Sequence, residues 1–297
     1  MSTFLGIDIG GSSIKFGWGN GSSLQYFSSI PIKNKELESF KQVAAAVLKT
    51  VEQTIGLRSI SAIGIGSPGT IDIHTGKLTG INPNLSFWTN INPAELIPNS
   101  LSIPIFYDND ANLMALAEAK HYDSSYALGI TIGSGIGSGI IIGGKVYHGS
   151  HGYAGELGHV CMVPDGIKCN CGRKGCLEAY ASVDGMRRSL ASADENLETM
   201  ELADLLTLHN STVHQYLSEG KAMLETAIVN VVTMLDIDTI ILGGGAMDAK
   251  MYNLESMRQE IGLLLPVANK GKVRIEQAYY GNRAGVVGAI QLAKQRL

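Results

Sequence analysis

Along the N-terminal third of the chain, short apolar stretches alternate with small-residue turns. Phe4–Ile9, Ile14–Trp18 and Leu24–Ile32 are rich in β-branched and aromatic residues, and glycines or serines separate them, which predicts three strands. From Glu36 to Ile55 the period lengthens. Leu37, Phe40, Val43, Ala44, Val47, Leu48, Val51 and Ile55 share one face, which predicts a helix. Ile60–Gly66 predicts another strand, followed by a turn-rich stretch to Pro104. Ile103–Tyr107 then reads as a buried strand and Ala111–His121 as a helix.

A second cycle begins at Tyr126. Tyr126–Ile132 and Gly139–Ile142 are strand-like, with a glycine- and serine-rich stretch from Gly133 to Ser138 between them. Helices follow, including a long one around Lys221–Leu235, then a strand at Thr239–Leu242 ending in a glycine triplet. A helix near Leu254–Leu265, a strand at Lys272–Tyr279 and a helix at Gly285–Arg296 complete the pattern. Strands alternating with helices predict an α/β fold. Leu5-Gly6-Ile7-Asp8-Ile9-Gly10 recurs as Leu128-Gly129-Ile130-Thr131-Ile132-Gly133, each copy running through a small turn into a second strand. The repeat predicts two related lobes, each offering one loop to a shared cleft; the alternative is chance likeness between two buried strands with tight turns.

Composition narrows the class. With 45% hydrophobic and 17% charged residues in 297, disorder is not expected. The net charge of −4 carries no basic block, against non-specific nucleic-acid binding. No apolar run reaches the ~18 residues of a membrane span. The N-terminus lacks a signal-peptide pattern, so a cytoplasmic location is expected. The 36 glycines, eleven of them between Gly129 and Gly158, show no collagen period and ask for backbone freedom at particular places.

Gly10-Gly11-Ser12-Ser13 and Gly133-Ser134-Gly135 follow buried strands, where backbone N–H groups can approach a phosphate. Each turn leads into a strand rather than a helix, and no G-x-x-x-x-G-K-[ST] occurs, so neither a Rossmann nor a P-loop enzyme is predicted. Asp8 is placed to orient a Mg²⁺–phosphate complex and Lys15 to balance phosphate charge; Asp8 is otherwise a surface group. Asp110, at a strand-to-helix junction, reads equally as an N-cap or as a carboxylate that takes a proton from an attacking hydroxyl. Asn84, before Trp88, is either a turn residue after Pro83 or a carbohydrate ligand. The triplet Gly243-Gly244-Gly245 offers bare backbone to a flat base or ribose, or is a tight turn.

The strongest chemical signal is His159 with Cys169, Cys171 and Cys176, a Cys₃His set suited to structural zinc. A redox pair or plain buried thiols are the alternatives, and Cys161 lies close enough to compete. Glu156 and Glu178 flank the set, and carboxylates pinned in this way suit the vicinal hydroxyls of a sugar.

Together these motifs resemble the ROK family of sugar kinases and sugar-responsive repressors. The motifs are Asp8-Ile9-Gly10-Gly11, Gly66-Ser67-Pro68-Gly69, Asn109-Asp110-Ala111-Asn112, Glu156-Leu157-Gly158-His159, the run from Cys169 to Glu178, and Gly243-Gly244-Gly245. The resemblance implies a two-lobed actin-like ATPase (ribonuclease H-like) fold with duplicated βββαβ lobes and a zinc-binding loop. Its first lobe would comprise residues 1–109 plus 282–297, and its second, with the zinc site and a dimer surface, residues 110–281. It implies Asp110 as general base, and Gly69, Asn84, Asn109, Glu156, His159 and Glu178 around a hexose, expected to be glucose. Asp8, Gly10, Gly11, Ser12, Lys15, Thr131, Gly133, Ser134 and Gly135 would serve Mg²⁺-ATP, and Gly243, Gly244 and Gly245 the adenosine. A homodimer and no nucleic-acid or membrane partner are expected, since Asp8 leaves no room ahead of it for a DNA-binding region. Fructose, mannose, an N-acetylhexosamine or a β-glucoside as substrate, polyphosphate as donor, and a sugar sensor without catalysis are the alternatives.

Overall fold

The computed structural model describes residues 2–79, 85–98, 102–191, 197 and 199–297. The chain divides into two compact units. One comprises residues 1–121, 146–154 and 280–297, and the other residues 122–145 and 155–279.

In the first unit, β1 (Thr3–Ile9), β2 (Ser13–Gly19) and β3 (Leu24–Pro31) form an antiparallel meander. After α1 (Leu37–Thr54), β4 (Ile60–Ser67) joins β1 in parallel. A small hairpin, β5 (Thr70–Ile71) with β6 (Leu78–Thr79), precedes β7 (Ile105–Asn109), which pairs in parallel with β4. The sheet order is β3-β2-β1-β4-β7. The central strands are buried on both faces. Leu5, Ile7, Ile9, Ile63 and Ile65 pack into a core with Phe40, Val47 and Val51 of α1. On the opposite side Phe4 and Ala62 meet Val286, Ile290 and Ala293 of the last helix (Ala284–Arg296).

Gly64 sits within β4, not in a loop. A Cβ there would overlap the backbone carbonyl of Ala289, so this glycine lets the last helix lie directly on the sheet. Backbone proximity, not a turn, is its function. β7 also corrects the expected strand, running from Ile105 to Asn109 rather than 103–107. Pro104 has no N–H for a ladder, and its carbonyl accepts from Ile63 N at 2.9 Å just before regular pairing begins. α2 (Asp110–His121) follows without a loop.

The second unit repeats this plan. β8 (Tyr126–Ile132), β9 (Ile136–Ile142) and β10 (Lys145–Val146) form the meander. β11 (Thr239–Gly243) and β12 (Arg274–Gln277) continue in parallel, in the order β10-β9-β8-β11-β12. The two sheets share one topology, with β8 in the place of β1, as the internal repeat implies. β9 starts three residues earlier than expected, because Ile132 pairs with Ile136 and the intervening turn shrinks to Gly133–Gly135.

Between the strands lie α3 (Glu178–Ala181), α4 (Val183–Ala191), α5 (Leu202–Thr207) and α6 (Ser211–Leu235). α7 (Gly245–Asp248) and α8 (Leu254–Leu264) follow, and the last helix is α9. α6 begins ten residues before the expected Lys221, where Asn210 Oδ1 accepts from Thr212 N and Val213 N. Its interior Gly220 packs against Tyr180 and Tyr252. Among the described residues no helix is long and apolar enough to cross a membrane.

Candidate functional site

In the first unit, the β1–β2 register sets Asp8 opposite Lys15, with Nζ 3.5 Å from Oδ2. Burial raises the Asp8 pKa above the ordinary carboxylate value, and Lys15 offsets only part of this. A Cβ on Gly285 would fall 2.6 Å from Asp8 Cγ, so the start of α9 crosses close over the carboxylate. The adjoining turn is held by Gly10 N donating to Ser13 O and Ile32 N to Ser12 O, both at 2.9 Å. A methyl on Gly11 would meet nothing within 4 Å, which leaves that stretch of backbone open to a ligand.

The strand-to-helix junction bears on the N-cap reading of Asp110. Asn109 makes the cap: its Oδ1 accepts from Ala111 N at 2.9 Å and Asn112 N at 3.2 Å. Asn109 Nδ2 donates to Gly69 O at 3.1 Å, so one amide hydrogen remains for a ligand. Asp110 is the first residue of α2, half-buried, with Oδ1 2.9 Å from Ala111 N. Gly69 has φ +94°, which holds the Gly66–Gly69 turn in a conformation that side chains disfavour.

Asp108 points to the opposite face of β7 from Asn109, as strand alternation requires. It is 4% exposed, and its Oδ1 accepts from Asn109 N at 2.8 Å and Asn112 Nδ2 at 2.9 Å. Its Oδ2 lies 2.6 Å from His148 Nε2. These residues line a cavity of about 370 Å³ together with Asp72, Tyr107 and Arg296.

In the second unit, the turn after β8 is closed by Gly133 N donating to Gly135 O at 2.9 Å. The first residues of α4 donate to it, Val183 N to Gly133 O at 2.9 Å and Asp184 N to Ser134 O at 3.3 Å. A Cβ on Gly133 would meet nothing within 4 Å. Thr131 Oγ1 donates to Gly137 O at 3.3 Å and aligns with Gly243 across the β8–β11 ladder. Gly244, φ +91°, lies against Ile132, and a Cβ on Gly245 would point into open space. The triplet and the Gly133–Gly135 turn therefore share one edge of the second sheet. The backbone at Gly133 and Gly245 is bare there.

The same unit gathers the metal set. Ser138 Oγ donates to Gly155 O and accepts from Leu157 N at 3.2 Å, pinning to β9 the loop that carries exposed Glu156. Gly158 lets the short 3-10 turn Leu157–His159 press against Ile136. Cys169 N donates to Arg173 O at 2.8 Å and Gly172 N to Cys169 O at 3.0 Å, folding the knuckle around the thiols.

The ligand atoms of His159, Cys169, Cys171 and Cys176 lie within 4.8 Å of one another. Cys169 Sγ is 3.7 Å from His159 Nδ1, and Cys171 Sγ is 3.7 Å from Cys176 Sγ. Tetrahedral zinc with arms of ~2.3 Å requires edges of ~3.8 Å, so the set fits zinc. With Nδ1 toward the thiols, a metal bound there would leave the His159 proton on Nε2. Burial and the adjacent Cys171 thiol push Cys176 up to about 12, so a bound cation would be needed to hold it as thiolate at neutral pH. Cys161 is exposed, lies outside the set, and donates to Lys174 O at 3.8 Å.

Glu178 links this knuckle to the turn. Its Oε2 accepts from Ile136 N at 2.9 Å, and its Oε1 lies 3.7 Å from Cys169 Sγ. A Cβ on Gly135 would fall 3.2 Å from Glu178 Cδ and nearer still to Oε2.

The first unit thus gathers Asp8, Gly10–Ser12, Lys15, Gly69, Asn109 and Asp110. The second gathers Thr131, Gly133–Gly135, Glu156, His159, Glu178, Gly243–Gly245 and the cysteines. Asn84 lies outside the described residues. Sequence reasoning passed over the Asp108–His148–Asn112 network, because His148 is brought to Asp108 only by the fold. Alternation along β7, with Asn109 and Asp108 on opposite faces, was the one available signal.

The sequence model of the ROK family matches residues 4–296. The chain is 31% identical to a glucokinase of Halalkalibacterium halodurans, over 99% of this chain and 95% of that protein. It is 27% identical to an N-acetyl-D-glucosamine kinase of Salmonella newport, over 96% of this chain and 97% of that protein. A ROK family glucokinase from Streptomyces griseus, solved with glucose and AMPPNP, superposes with a TM-score of 0.78 at 25% identity, covering 99% of both chains.

Proposed function

This chain belongs to the ROK family, and on that premise we propose that it is an ATP-dependent hexose kinase that phosphorylates glucose at the 6-hydroxyl, with Asp110 as general base. The observation that carries the reading is the junction of β7 and α2. Asn109 supplies the helix cap, and the Asp110 carboxylate beside it, with Oδ1 2.9 Å from Ala111 N, stands at the carboxyl end of the strand, where it would take a proton from an attacking hydroxyl. Likeness to the Halalkalibacterium glucokinase and to the glucose- and AMPPNP-bound Streptomyces protein supports the same substrates here.

In this reading Gly69, Asn84, the remaining Asn109 N–H, Glu156, His159 Nε2 and Glu178 hold the sugar hydroxyls. Main-chain N–H groups of Gly10–Ser12 and Gly133–Gly135 take the phosphates, and Gly243–Gly245 face the adenosine. Mg²⁺, when bound near Asp8, supplies charge neutralisation at the transferred phosphoryl group. His159, Cys169, Cys171 and Cys176 would hold zinc, which fixes the His159 tautomer. Catalysis is then mainly positioning: the hydroxyl is aimed and Asp110 removes its proton as the new P–O bond forms.

A coupled assay of ADP release over a sugar panel tests the reading, with glucose the expected best substrate. Asp110→Asn should keep sugar affinity and lose ~10²-fold or more in turnover; unchanged turnover would remove Asp110 from the base role. A second reading, an N-acetylhexosamine as substrate, draws on the likeness to the Salmonella kinase, and the same panel decides it.

A further inference from the structure

We propose that His148, acting through Asp108, is a positioning residue that sets the Asp110 carboxylate for proton transfer. This rests on the reading of Asp110 as general base.

Asp110 is the first residue of α2, and no loop separates it from β7, so its placement follows the backbone of the junction. That backbone is gripped on both sides by one carboxylate. Asp108 Oδ1 accepts from Asn109 N, the residue before Asp110, at 2.8 Å. The same oxygen accepts from Asn112 Nδ2, two residues after Asp110, at 2.9 Å. The Asn112 amide orientation is fixed by this bond, since its flip would set oxygen against oxygen. Asp108 therefore spans the turn that presents Asp110.

A carboxylate 4% exposed holds such a position only if its other oxygen is satisfied as well. That partner is His148 Nε2, at 2.6 Å. His148 donates there in its Nε2–H tautomer or as the cation, so the role asks for a donor and not for charge. Its own segment is braced, with Ala154 N donating to His148 O at 3.1 Å. His148 is 23% exposed on the wall of the 370 Å³ cavity, so solvent reaches the imidazole and it is no packed core residue. Without the imidazole, Asp108 Oδ2 turns to solvent in that cavity, and the carboxylate rotates away from Asn109 N and Asn112 Nδ2.

The experiment compares His148→Ala, His148→Asn and His148→Gln in the full chain, each in the parent and in an Asp110→Asn background. Gln reaches far enough to donate from where imidazole Nε2 stands; Asn is one methylene too short. Ala and Asn should lower kcat by about 10- to 100-fold, the scale of an ~1 Å misplacement of a reacting group, with the KM for ATP within about threefold of the parent. Gln should restore most of kcat. In the Asp110→Asn background all three should be silent, because the group they position is gone.

Equal losses in both backgrounds, or failure of Gln to rescue, would show a general structural role and overturn the proposal. So would parental kcat in His148→Ala and His148→Asn while Asp110→Asn is impaired. If Ala does not fold by circular dichroism, the comparison of Asn with Gln, the same amide one methylene apart, carries the test. Full turnover in Asp110→Asn alone would instead remove the base reading, and the positioning role with it.

Discussion

Gly135→Ala tests the tie between the proposed phosphate turn and the proposed sugar carboxylate. Gly135 has no left-handed φ, so alanine fits its backbone, and the only conflict is with Glu178. The new Cβ would stand 3.2 Å from Glu178 Cδ, against ordinary carbon contacts of ~3.5–4.0 Å. The carboxylate must retreat by roughly 0.5 Å or more, which stretches its 2.9 Å bond from Ile136 N past the ~3.2 Å limit of a good hydrogen bond. Losing a hydrogen bond to a charged group costs about 1.5–3 kcal/mol, or about 10- to 150-fold in an equilibrium. If Glu178 holds the sugar, kcat/KM for the sugar should fall within that range, mostly through KM, while the KM for ATP moves little. Steady-state kinetics with each substrate varied in turn reads this directly. Gly133→Ala is the internal comparison. Its methyl meets no protein atom within 4 Å and points into the open turn, so it should raise the KM for ATP instead. A Gly135→Ala enzyme with parental sugar KM, or one impaired only toward ATP, refutes the assignment of Glu178.

Three further outcomes are expected. Elemental analysis should find about one zinc per chain, and Cys171→Ala should lose both the metal and sugar binding; a metal-free protein with full activity would refute the metal assignment. Gly64→Ala forces a methyl into the backbone carbonyl of Ala289 and should cost ~3 kcal/mol or more, seen as a large drop in Tm, and an unchanged Tm would contradict the packing of α9. Asp8 binds its proton more tightly in the folded chain than in the unfolded one. As pH rises from the ordinary value of 3.8 through the raised folded value, stability should therefore fall, then level off. Asp8→Asn should remove that slope from a Tm-versus-pH series; an unaltered slope would mean that Asp8 is not its source.

The Cys₃His set was legible because it is local. His159 and the three cysteines fall within one short stretch, and thiolate and imidazole donors suit zinc almost regardless of fold. The duplicated sheet was legible for a related reason: β1 and β8 repeat a pattern of apolar residues, and that pattern dictates burial on both faces. Glycine was harder to read. Backbone freedom explains Gly69 and Gly244, whose φ is positive, whereas Gly64 serves a helix contributed from the far end of the sequence.

By itself, then, the sequence determined the α/β repeat, the two glycine turns that follow β1 and β8, and the four members of the Cys₃His set. Each depends on neighbours along the chain or on side-chain chemistry alone. Only the tertiary structure decided that Asn109 rather than Asp110 caps α2, that Glu178 presses on Gly135, and that His148 reaches Asp108. Those outcomes depend on which of several competent donors arrives within hydrogen-bond distance. Strand register and helix packing set that distance, and residue spacing does not.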